Sequence, residues 1–242
     1  MTGRSRFASG LSAALSALAL MLAAGCAAGP PAGPAAGGPA AGDSAVVATV
    51  SGARLASYVS PEASTPFLVL DPTTALGSPT VVLVRSVRPG WLQVLLPDRP
   101  NGLTGWVHRA DVTLTQVRYR IRVSLASRQL VVYRDNTEVL RTPAAVGTPQ
   151  TPTPTGLFFL TDIVRVTADQ PGYGPFALGL SGHSPVLARF GDGDAQIAVH
   201  GSDAPTSIGQ AISHGCVRIS NAAIRTLAQE LPLGTPVQIE AS

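Results

Sequence analysis

The sequence predicts a mostly β protein in which a small β-barrel precedes a second β-rich domain with one short helix. From residue 45 onward, short runs of β-branched and aromatic residues alternate with Pro, Gly, Asn and Asp turn signals, a pattern typical of small β domains. Apolar residues at helical spacing stand out in one stretch, after Ser220. A chain of 242 residues has room for two domains of modest size.

The first 25 residues are predicted to be a signal peptide. They combine Arg4 and Arg6 with an apolar run over residues 11–24, which is shorter than the roughly 20 residues that a membrane-spanning helix requires. The small residues before Cys26 resemble the lipobox of bacterial lipoproteins, in which the thiol is acylated and becomes the new N-terminus. The resemblance implies a lipid anchor at Cys26, on the outer face of the cytoplasmic membrane and facing the cell wall.

The charge balance argues against nucleic acid as a partner. The formal charge is +3 from 17 basic and 14 acidic residues. Removing Arg4 and Arg6 with the signal peptide leaves 15 against 14, or about +1. Binding to phosphates requires clustered cations, and no run of arginines occurs.

Residues 26–44 are rich in Ala, Gly and Pro and are predicted to form a tether. Residues 45–115 follow as a β module whose segments around Trp91 and Trp106 resemble the strand pair of bacterial SH3-like domains. Both tryptophans are interpreted as core residues in preference to wall-binding aromatics. The predicted strands of this module are Val46–Val50, Pro66–Leu70, Thr80–Val84, Trp91–Leu96 and Gly105–Val107.

Residues 116–242 are predicted to form the second domain. A helix over Asn221–Leu231, capped by Ser220 or Asn221, interrupts the strands. The connections 147–156 and 171–185 are long for hairpins, and long ordered loops tend to cover sites. The predicted strands are Tyr119–Ser124, Gln129–Tyr133, Glu138–Val146, Leu157–Val166, Ile197–His200 and Thr235–Ile239.

The residues that can carry out chemistry lie in two short segments, 197–201 and 213–218. If Cys26 carries lipid, the Cys216 thiol has no disulfide partner and is either a buried small side chain or a reactive group. A thiol needs a base or a positive field to become an attacking thiolate. His200 and His214 are both candidates for that base, and the spacing alone does not choose between them.

Neighbouring residues have candidate supporting roles. The backbone amides of Gly215 and Cys216 are candidates for an oxyanion hole. Arg218 suits either a substrate carboxylate or a surface position. Tyr173 and His183 lie in the Gly/Pro-rich segment 171–185, where structural roles are favoured over contact with substrate. His108 is expected at the surface. Four histidines without clustered ligand spacing give no support for a metal site, and none is predicted.

The sequence Ser213-His214-Gly215-Cys216 with an upstream His200-Gly201 resembles the signature of the L,D-transpeptidase catalytic domain, also called the YkuD domain. The similarity extends over about residues 116–240, including segments 173–177 and 180–184. It implies a β-sandwich-like fold in which His200 activates Cys216 and His214 shapes the site. Some members have Ser after the upstream His, where Gly201 offers a carbonyl. One family pattern has Asn at the position of Arg218.

The resemblance implies an enzyme acting on peptidoglycan stem peptides. The expected reaction releases D-Ala through a Cys216 thioester and joins two third-position diamino acids, without a cofactor or an obligate protein partner. Use of water as acceptor, which makes an L,D-carboxypeptidase, stays open, as does a non-catalytic wall-binding lipoprotein. A sortase-like enzyme is disfavoured because its His and Cys lie much farther apart than 200 and 216. An NlpC/P60-type peptidase is disfavoured because its Cys precedes its His.

Overall fold

The computed structural model describes residues 44–167 and 171–242. The predicted signal peptide, Cys26 and nearly all of the tether lie outside these residues. The described part is mostly β with one α-helix, as the sequence predicts. Within these residues, no helix is both long enough and apolar enough to cross a bilayer.

An antiparallel sheet of five strands, here called the N-terminal sheet, occupies residues 45–117 in the order β6-β5-β4-β1-β7. All five predicted strands are present, and β2 and β7 are additional. Strand β2 has only three residues, and β7 follows directly on a 3-10 turn at Arg109–Asp111. The strands of residues 45–117 are β1 Ala45–Val50, β2 Leu55–Ser57, β3 Leu68–Leu70, β4 Val81–Arg88, β5 Trp91–Leu95, β6 Thr104–His108 and β7 Val112–Val117. Strands β2 and β3 pair with each other in a separate two-stranded sheet.

The two tryptophans of this sheet differ in environment. Trp106 is 8% exposed and belongs to the core, as favoured from the sequence. Trp91 is half-buried, and its ring lies 3.8 Å from that of the exposed His108 and 5.6 Å from that of Tyr58. The core interpretation therefore holds fully for Trp106 and in part for Trp91.

A second, eight-stranded sheet, the C-terminal sheet, has the order β10-β9-β8-β17-β12-β13-β14-β16. The strands β8/β17 and β14/β16 run parallel, and the other neighbouring pairs are antiparallel. A separate short parallel pair joins β11 and β15. The elements are β8 Tyr119–Ser124, β9 Gln129–Arg134, β10 Thr137–Pro143, β11 Val146–Gly147, β12 Gly156–Arg165, β13 Phe176–His183, β14 Gln196–His200, a 3-10 turn Pro205–Ser207, β15 Ala211–Ser213, β16 Val217–Arg218, α1 Asn221–Glu230 and β17 Pro236–Glu240.

Helix α1 packs on the inner face of this sheet. The Ser220 side chain caps it by accepting a hydrogen bond from the Ala223 amide at 3.2 Å, which decides between the two predicted caps. Ile224 and Leu227 are buried with Val199 and Val217 in one apolar cluster. This packing anchors the strands that carry the site on the opposite face.

The prediction of a loop over residues 171–185 is wrong over Phe176–His183, because β13 occupies an interior position of the sheet. The glycines of this segment suggested an irregular loop. Within β13, glycine is instead needed because neighbouring side chains leave no room for a Cβ atom. A Cβ at position 182 would lie 2.4 Å from the Phe158 ring. Glycine inside a strand often marks such a close approach of another group.

Candidate active site

The site is built on the parallel pair β14 and β16, in which Val199 lies opposite Val217 and His200 opposite Arg218. Side chains alternate across a strand, so His200 and Arg218 share one face with Cys216, which directly precedes β16. Val199 and Val217 point to the other face and are fully buried in the core. The parallel register therefore brings the predicted nucleophile, base and arginine to one surface.

His200 is held by the backbone beside it. The side chain is 3% exposed, and its Nδ1 lies 2.6 Å from the Gly201 carbonyl oxygen. A carbonyl only accepts, so the proton is assigned to Nδ1 and the lone pair to Nε2. This is the contact that the sequence predicts for Gly201. Burial lowers the pKa of His200 to about 4; the carbonyls of Gly201 and Tyr173 offset this in part.

The Cys216 thiol is partly exposed and forms no disulfide within the described residues. Burial by the walls around it raises the pKa of Cys216, while the backbone of Ala198 and the charge of Arg218 act in the opposite direction. The pKa of the thiol thus moves up and that of His200 moves down. Both directions favour a neutral Cys216 thiol and a neutral His200 imidazole in the free protein.

The turn before Cys216 is locked by Ser213. Its buried hydroxyl donates to the Cys216 carbonyl at 2.6 Å and accepts from the Gly215 amide at 3.1 Å. Gly215 has φ of 119°, a conformation that side chains rarely adopt. Ser213 and Gly215 thus fix the turn, and the Gly215 amide is engaged within it. The oxyanion role of the Gly215 and Cys216 amides stays a prediction.

Two further predicted residues lie at the edge of the site. Arg218 is half-buried, and its buried Nε has no hydrogen-bond partner within the described residues. His214 is exposed, and its ring lies 5.2 Å from that of Phe190. The exposed His214 lacks the buried, backbone-fixed setting of His200. Of the two candidate bases, only His200 is buried and held by a backbone hydrogen bond.

The structure separates Tyr173 from His183. The Tyr173 ring lies 4.6 Å from that of His200, and burial, followed by the nearness of Cys216, raises its pKa. Asp203 accepts from the Gly172 amide at 2.7 Å and so ties this segment to the loop after His200. His183 is buried elsewhere, with Nε2 2.9 Å from Asp194, and does not line the cavity at Cys216.

The family model of the L,D-transpeptidase catalytic domain (YkuD) matches residues 118–239, about half of the chain. The chain belongs to the L,D-transpeptidase family. The Bacillus subtilis protein YkuD is 34% identical over 125 residues, 51% of this chain and 66% of that protein. The match therefore spans slightly less than two thirds of that relative. The Bacillus subtilis protein YqjB is 32% identical over 124 residues, 48% of this chain and 68% of that protein.

Two solved L,D-transpeptidase structures align over a larger share of the chain than these relatives do. One from Mycobacterium smegmatis is 14% identical, with a TM-score of 0.43, covering 66% of this chain and 90% of that one. Another, from Mycobacterium tuberculosis H37Rv, is 16% identical with a TM-score of 0.45, covering 82% of this chain and 91% of that one.

The L,D-transpeptidase domain opens its site into a cavity of about 320 Å³ lined by His200, Cys216 and Arg218 with Tyr173 and His214. Of the supporting residues that the sequence suggests, Tyr173 and His214 therefore reach the cavity and His183 does not. Among residues 44–167 and 171–242, no three His, Cys, Asp or Glu side chains converge as a metal site requires.

Two residues that the sequence did not single out, Thr151 and Asn221, support the backbone around this L,D-transpeptidase site. Thr151 donates to the Ser213 carbonyl at 3.0 Å, so the loop 147–156 braces the turn before Cys216. Asn221 accepts from the Ser202 amide at 2.9 Å. A Cβ at Gly201 would lie 2.4 Å from that Asn221 oxygen, so a serine does not fit there without movement. A lone Thr or Asn gives no sequence signal for such backbone contacts.

Proposed function

We propose that this chain is an L,D-transpeptidase that crosslinks peptidoglycan stems through third-position diamino acids, with Cys216 as nucleophile and His200 as base. The observation that carries the proposal is the shared face of β14 and β16, where Cys216, His200 and Arg218 border one open cavity. Nucleophile, base and cation are the three groups that acyl transfer from a carboxylate-bearing peptide requires.

The first half of the reaction makes a thioester. His200 Nε2 takes the thiol proton while Cys216 Sγ attacks the carbonyl carbon that joins the third stem residue to D-Ala. The bond between that carbon and the D-Ala nitrogen then breaks, and His200 returns the proton to the leaving amine. The neutral resting pair supports general-base attack, in which proton transfer accompanies bond formation, over a preformed thiolate.

The second half transfers the acyl group. The side-chain amine of a diamino acid on a neighbouring stem attacks the thioester carbon and gives a proton to His200, and the thiol recovers it as the carbon–sulfur bond breaks. One peptide bond is broken and one is formed, so the free energy of the donor bond sustains the crosslink. Water in place of the amine gives a free carboxylate, which is the L,D-carboxypeptidase outcome.

Arg218 is assigned to a carboxylate of the donor stem. Its partly buried guanidinium stands beside His200 on the cavity face, and its Nε has no partner within the described residues. A guanidinium binds a carboxylate through two parallel hydrogen bonds, which fixes orientation as well as distance. Tyr173 packs on His200 and closes the cavity beside it.

The test uses the full-length chain in detergent with a disaccharide-tetrapeptide, followed by intact-mass spectrometry of protein and products. Cys216→Ala removes the nucleophile, and Cys26→Ala is the matched control because it removes the other cysteine. We expect loss of D-Ala and formation of a crosslinked dimer with the wild type and with Cys26→Ala only. A carbapenem is expected to acylate the same two proteins and to leave Cys216→Ala unmodified.

The products distinguish the alternatives. Loss of D-Ala without dimer identifies an L,D-carboxypeptidase and overturns the proposed acceptor. Absence of product and of carbapenem adduct in all three proteins identifies a non-catalytic wall-binding protein. Equal activity of Cys216→Ala and wild type contradicts the assignment of the nucleophile.

We also propose that the signal peptide 1–25 is removed and that lipid is attached to Cys26, which places the enzyme on the outer face of the cytoplasmic membrane. The support is the sequence alone: a basic start, a short apolar run and small residues before the cysteine. Fatty-acid labelling of cells that produce the wild type or Cys26→Ala tests it. Labelling of both proteins, or of neither, contradicts the anchor.

A further inference from the structure

One wall of the catalytic cavity is a loop that connects β13 to β14. Residues 184–195, here called the wall loop, start and end at a hydrogen bond from the Ser184 amide to the Ala195 carbonyl at 2.9 Å. Leu187 and Phe190 of this loop line the cavity, and the Phe190 ring stacks near His214 at 5.2 Å. The position of the wall loop therefore helps to set the width of the cavity around Cys216.

The middle of the wall loop has little internal support, although Ser184 and Ala195 at its ends are buried and Asp194 contacts His183. Val186 and Phe190 are 56% and 46% exposed, so this middle part contributes little to the core. Its own hydrogen bonds are local, such as that from the Leu187 amide to the Ser184 hydroxyl at 3.1 Å and that from Arg189 to the Asp192 carbonyl at 2.9 Å. Segments with few buried contacts open at low free-energy cost.

Arg99, from the N-terminal sheet's connection between β5 and β6, binds the wall loop at both ends. Its Nη1 donates to the Ser184 carbonyl at 2.8 Å. Its Nη2 donates to the carbonyls of Leu187 at 3.0 Å and Asp194 at 2.8 Å. One rigid guanidinium thus joins three carbonyls that lie apart along the loop, a geometry that the single point charge of Lys does not reproduce.

Asn101, two residues farther along, binds the residue just before the wall loop. Its Nδ2 donates to the His183 carbonyl at 2.8 Å, and its Oδ1 accepts from the His183 amide at 2.8 Å. The side-chain amide therefore satisfies both backbone groups of His183, as a neighbouring strand would. Arg99 and Asn101 together fix the end of β13 and the loop that leaves it.

The connection that carries both residues is itself anchored. Its ends are joined by the hydrogen bond from the Leu96 amide to the Leu103 carbonyl at 2.9 Å. The N-terminal sheet packs on the C-terminal sheet through an apolar cluster that includes Val47, Leu83 and Phe159. The connection that carries Arg99 is therefore held in place by hydrogen bonding and by the packing of the sheet from which it extends.

We infer that Arg99 and Asn101 are positioning residues for the proposed transpeptidation, and that residues 45–117 form part of the active-site architecture by holding the wall loop. The inference rests on the proposed function. The side chains of Arg99 and Asn101 act on substrate binding through Leu187 and Phe190. They leave the chemistry of the Cys216 thiol unchanged. Loss of the contacts widens the cavity and weakens the hold on the stem peptide.

The experiment compares full-length wild type with Arg99→Ala, Arg99→Lys, Asn101→Ala and the control Arg109→Ala. Arg109 is also exposed and donates to a backbone carbonyl, that of Val112 at 2.9 Å, but within the N-terminal sheet. We expect kcat/KM for the disaccharide-tetrapeptide to fall between about tenfold and 100-fold in Arg99→Ala, mainly through a rise in KM, since small displacements at a site have effects of this size. Arg99→Lys is expected to restore little, and Arg109→Ala to match the wild type.

Two readouts separate positioning from a general loss of structure. The pH profile of Cys216 alkylation is expected to stay that of the wild type in every variant. Hydrogen exchange is expected to accelerate in Arg99→Ala at residues 184–195 and to stay unchanged in β8, β12 and β17. Faster exchange throughout the C-terminal sheet, or full rescue by lysine, overturns the inference. So do kinetics and exchange equal to those of Arg109→Ala.

The failure of the proposed function gives a different result. If the wild type releases no D-Ala and forms no carbapenem adduct, the proposed function fails, and with it the claim about substrate binding. The exchange measurement then still decides whether Arg99 and Asn101 hold the wall loop. An active wild type with an unchanged Arg99→Ala contradicts the inference alone.

Discussion

The two faces of the β14/β16 pair share one backbone but differ in role: one packs in the core and the other borders the cavity. On one face Val199 and Val217 are fully buried in the apolar core under helix α1. On the other, His200, Cys216 and Arg218 border the cavity. Because successive side chains alternate, every residue of the core face sits between two positions of the site face. The packing of one face therefore fixes the spacing of the chemistry on the other.

The faces differ in what burial does to them. For Val199 and Val217, burial contributes stability through removal of apolar surface from water. For His200 and Cys216, the same exclusion of water opposes charge and shifts both pKa values toward the neutral forms. We expect substitutions on the core face to lower the free energy of unfolding by the same amount at every pH. Substitutions on the site face are expected to change the pH dependence, with or without a change in stability.

After Cys216→Ala, which removes the nucleophile, the largest expected effect is that of His200→Asn on turnover. Asn keeps an N–H where Nδ1 donates to the Gly201 carbonyl but has no basic nitrogen. Loss of general-base catalysis lowers kcat by about 10²- to 10⁴-fold. Steady-state release of D-Ala measures it. The control is His214→Asn at the exposed edge, for which we expect a much smaller loss. Equal losses in the two variants contradict the choice of base.

The next effect concerns stability against pH. The pKa of His200 is about 4 in the folded protein, against an ordinary value of 6.5 for an exposed histidine in the unfolded chain. Between these values the unfolded chain binds a proton that the folded chain does not, so stability falls as pH falls through this window. A shift of this size corresponds to about 3 kcal/mol. Urea unfolding at pH 7 and pH 4 is expected to show this extra loss in wild type relative to His200→Asn.

On the core face, Val217→Ala is expected to lower the free energy of unfolding by about 2 kcal/mol through lost burial and a small cavity. The loss is expected to be the same at pH 7 and pH 4, since no titrating group is removed. The matched site-face change one residue earlier, Cys216→Ala, is expected to abolish turnover with less change in stability. A pH-dependent effect of Val217→Ala contradicts the separation of the two faces.

The sequence predicts a candidate site because Cys216, His214 and His200 are residue types with their own chemistry, and the structure places all three around one cavity. Their roles as nucleophile and base come from the resemblance to the L,D-transpeptidase signature and stay predictions. Local strand patterns also sufficed where alternation is clear, as in β8 at Tyr119–Ser124, whose bounds match the prediction. These features depend on neighbours within a few positions, and the sequence displays such neighbours directly.

The parts that sequence reasoning missed depend on distant contacts. Strand β13 reads as a loop because the crowding by Phe158 that requires Gly182 is visible only in three dimensions. The engagement of the Gly215 amide by Ser213 follows from the fold of the turn and not from its composition. The contact of Arg99 with the wall loop joins residues 85 to 95 positions apart. No local pattern predicts such a pairing.

The smallest expected effect sharpens the site face itself, through Arg218→Gln and Arg218→Lys. The charge of Arg218 lowers the pKa of Cys216, so Arg218→Gln is expected to raise that pKa and to slow alkylation of the thiol at a fixed pH near 8. Arg218→Lys keeps the charge and is expected to retain the alkylation profile. Both variants lose the paired hydrogen bonds to a carboxylate, and KM for the tetrapeptide is expected to rise roughly tenfold in each. A lysine variant with unchanged KM means that Arg218 acts on the thiol through its charge and does not bind the substrate.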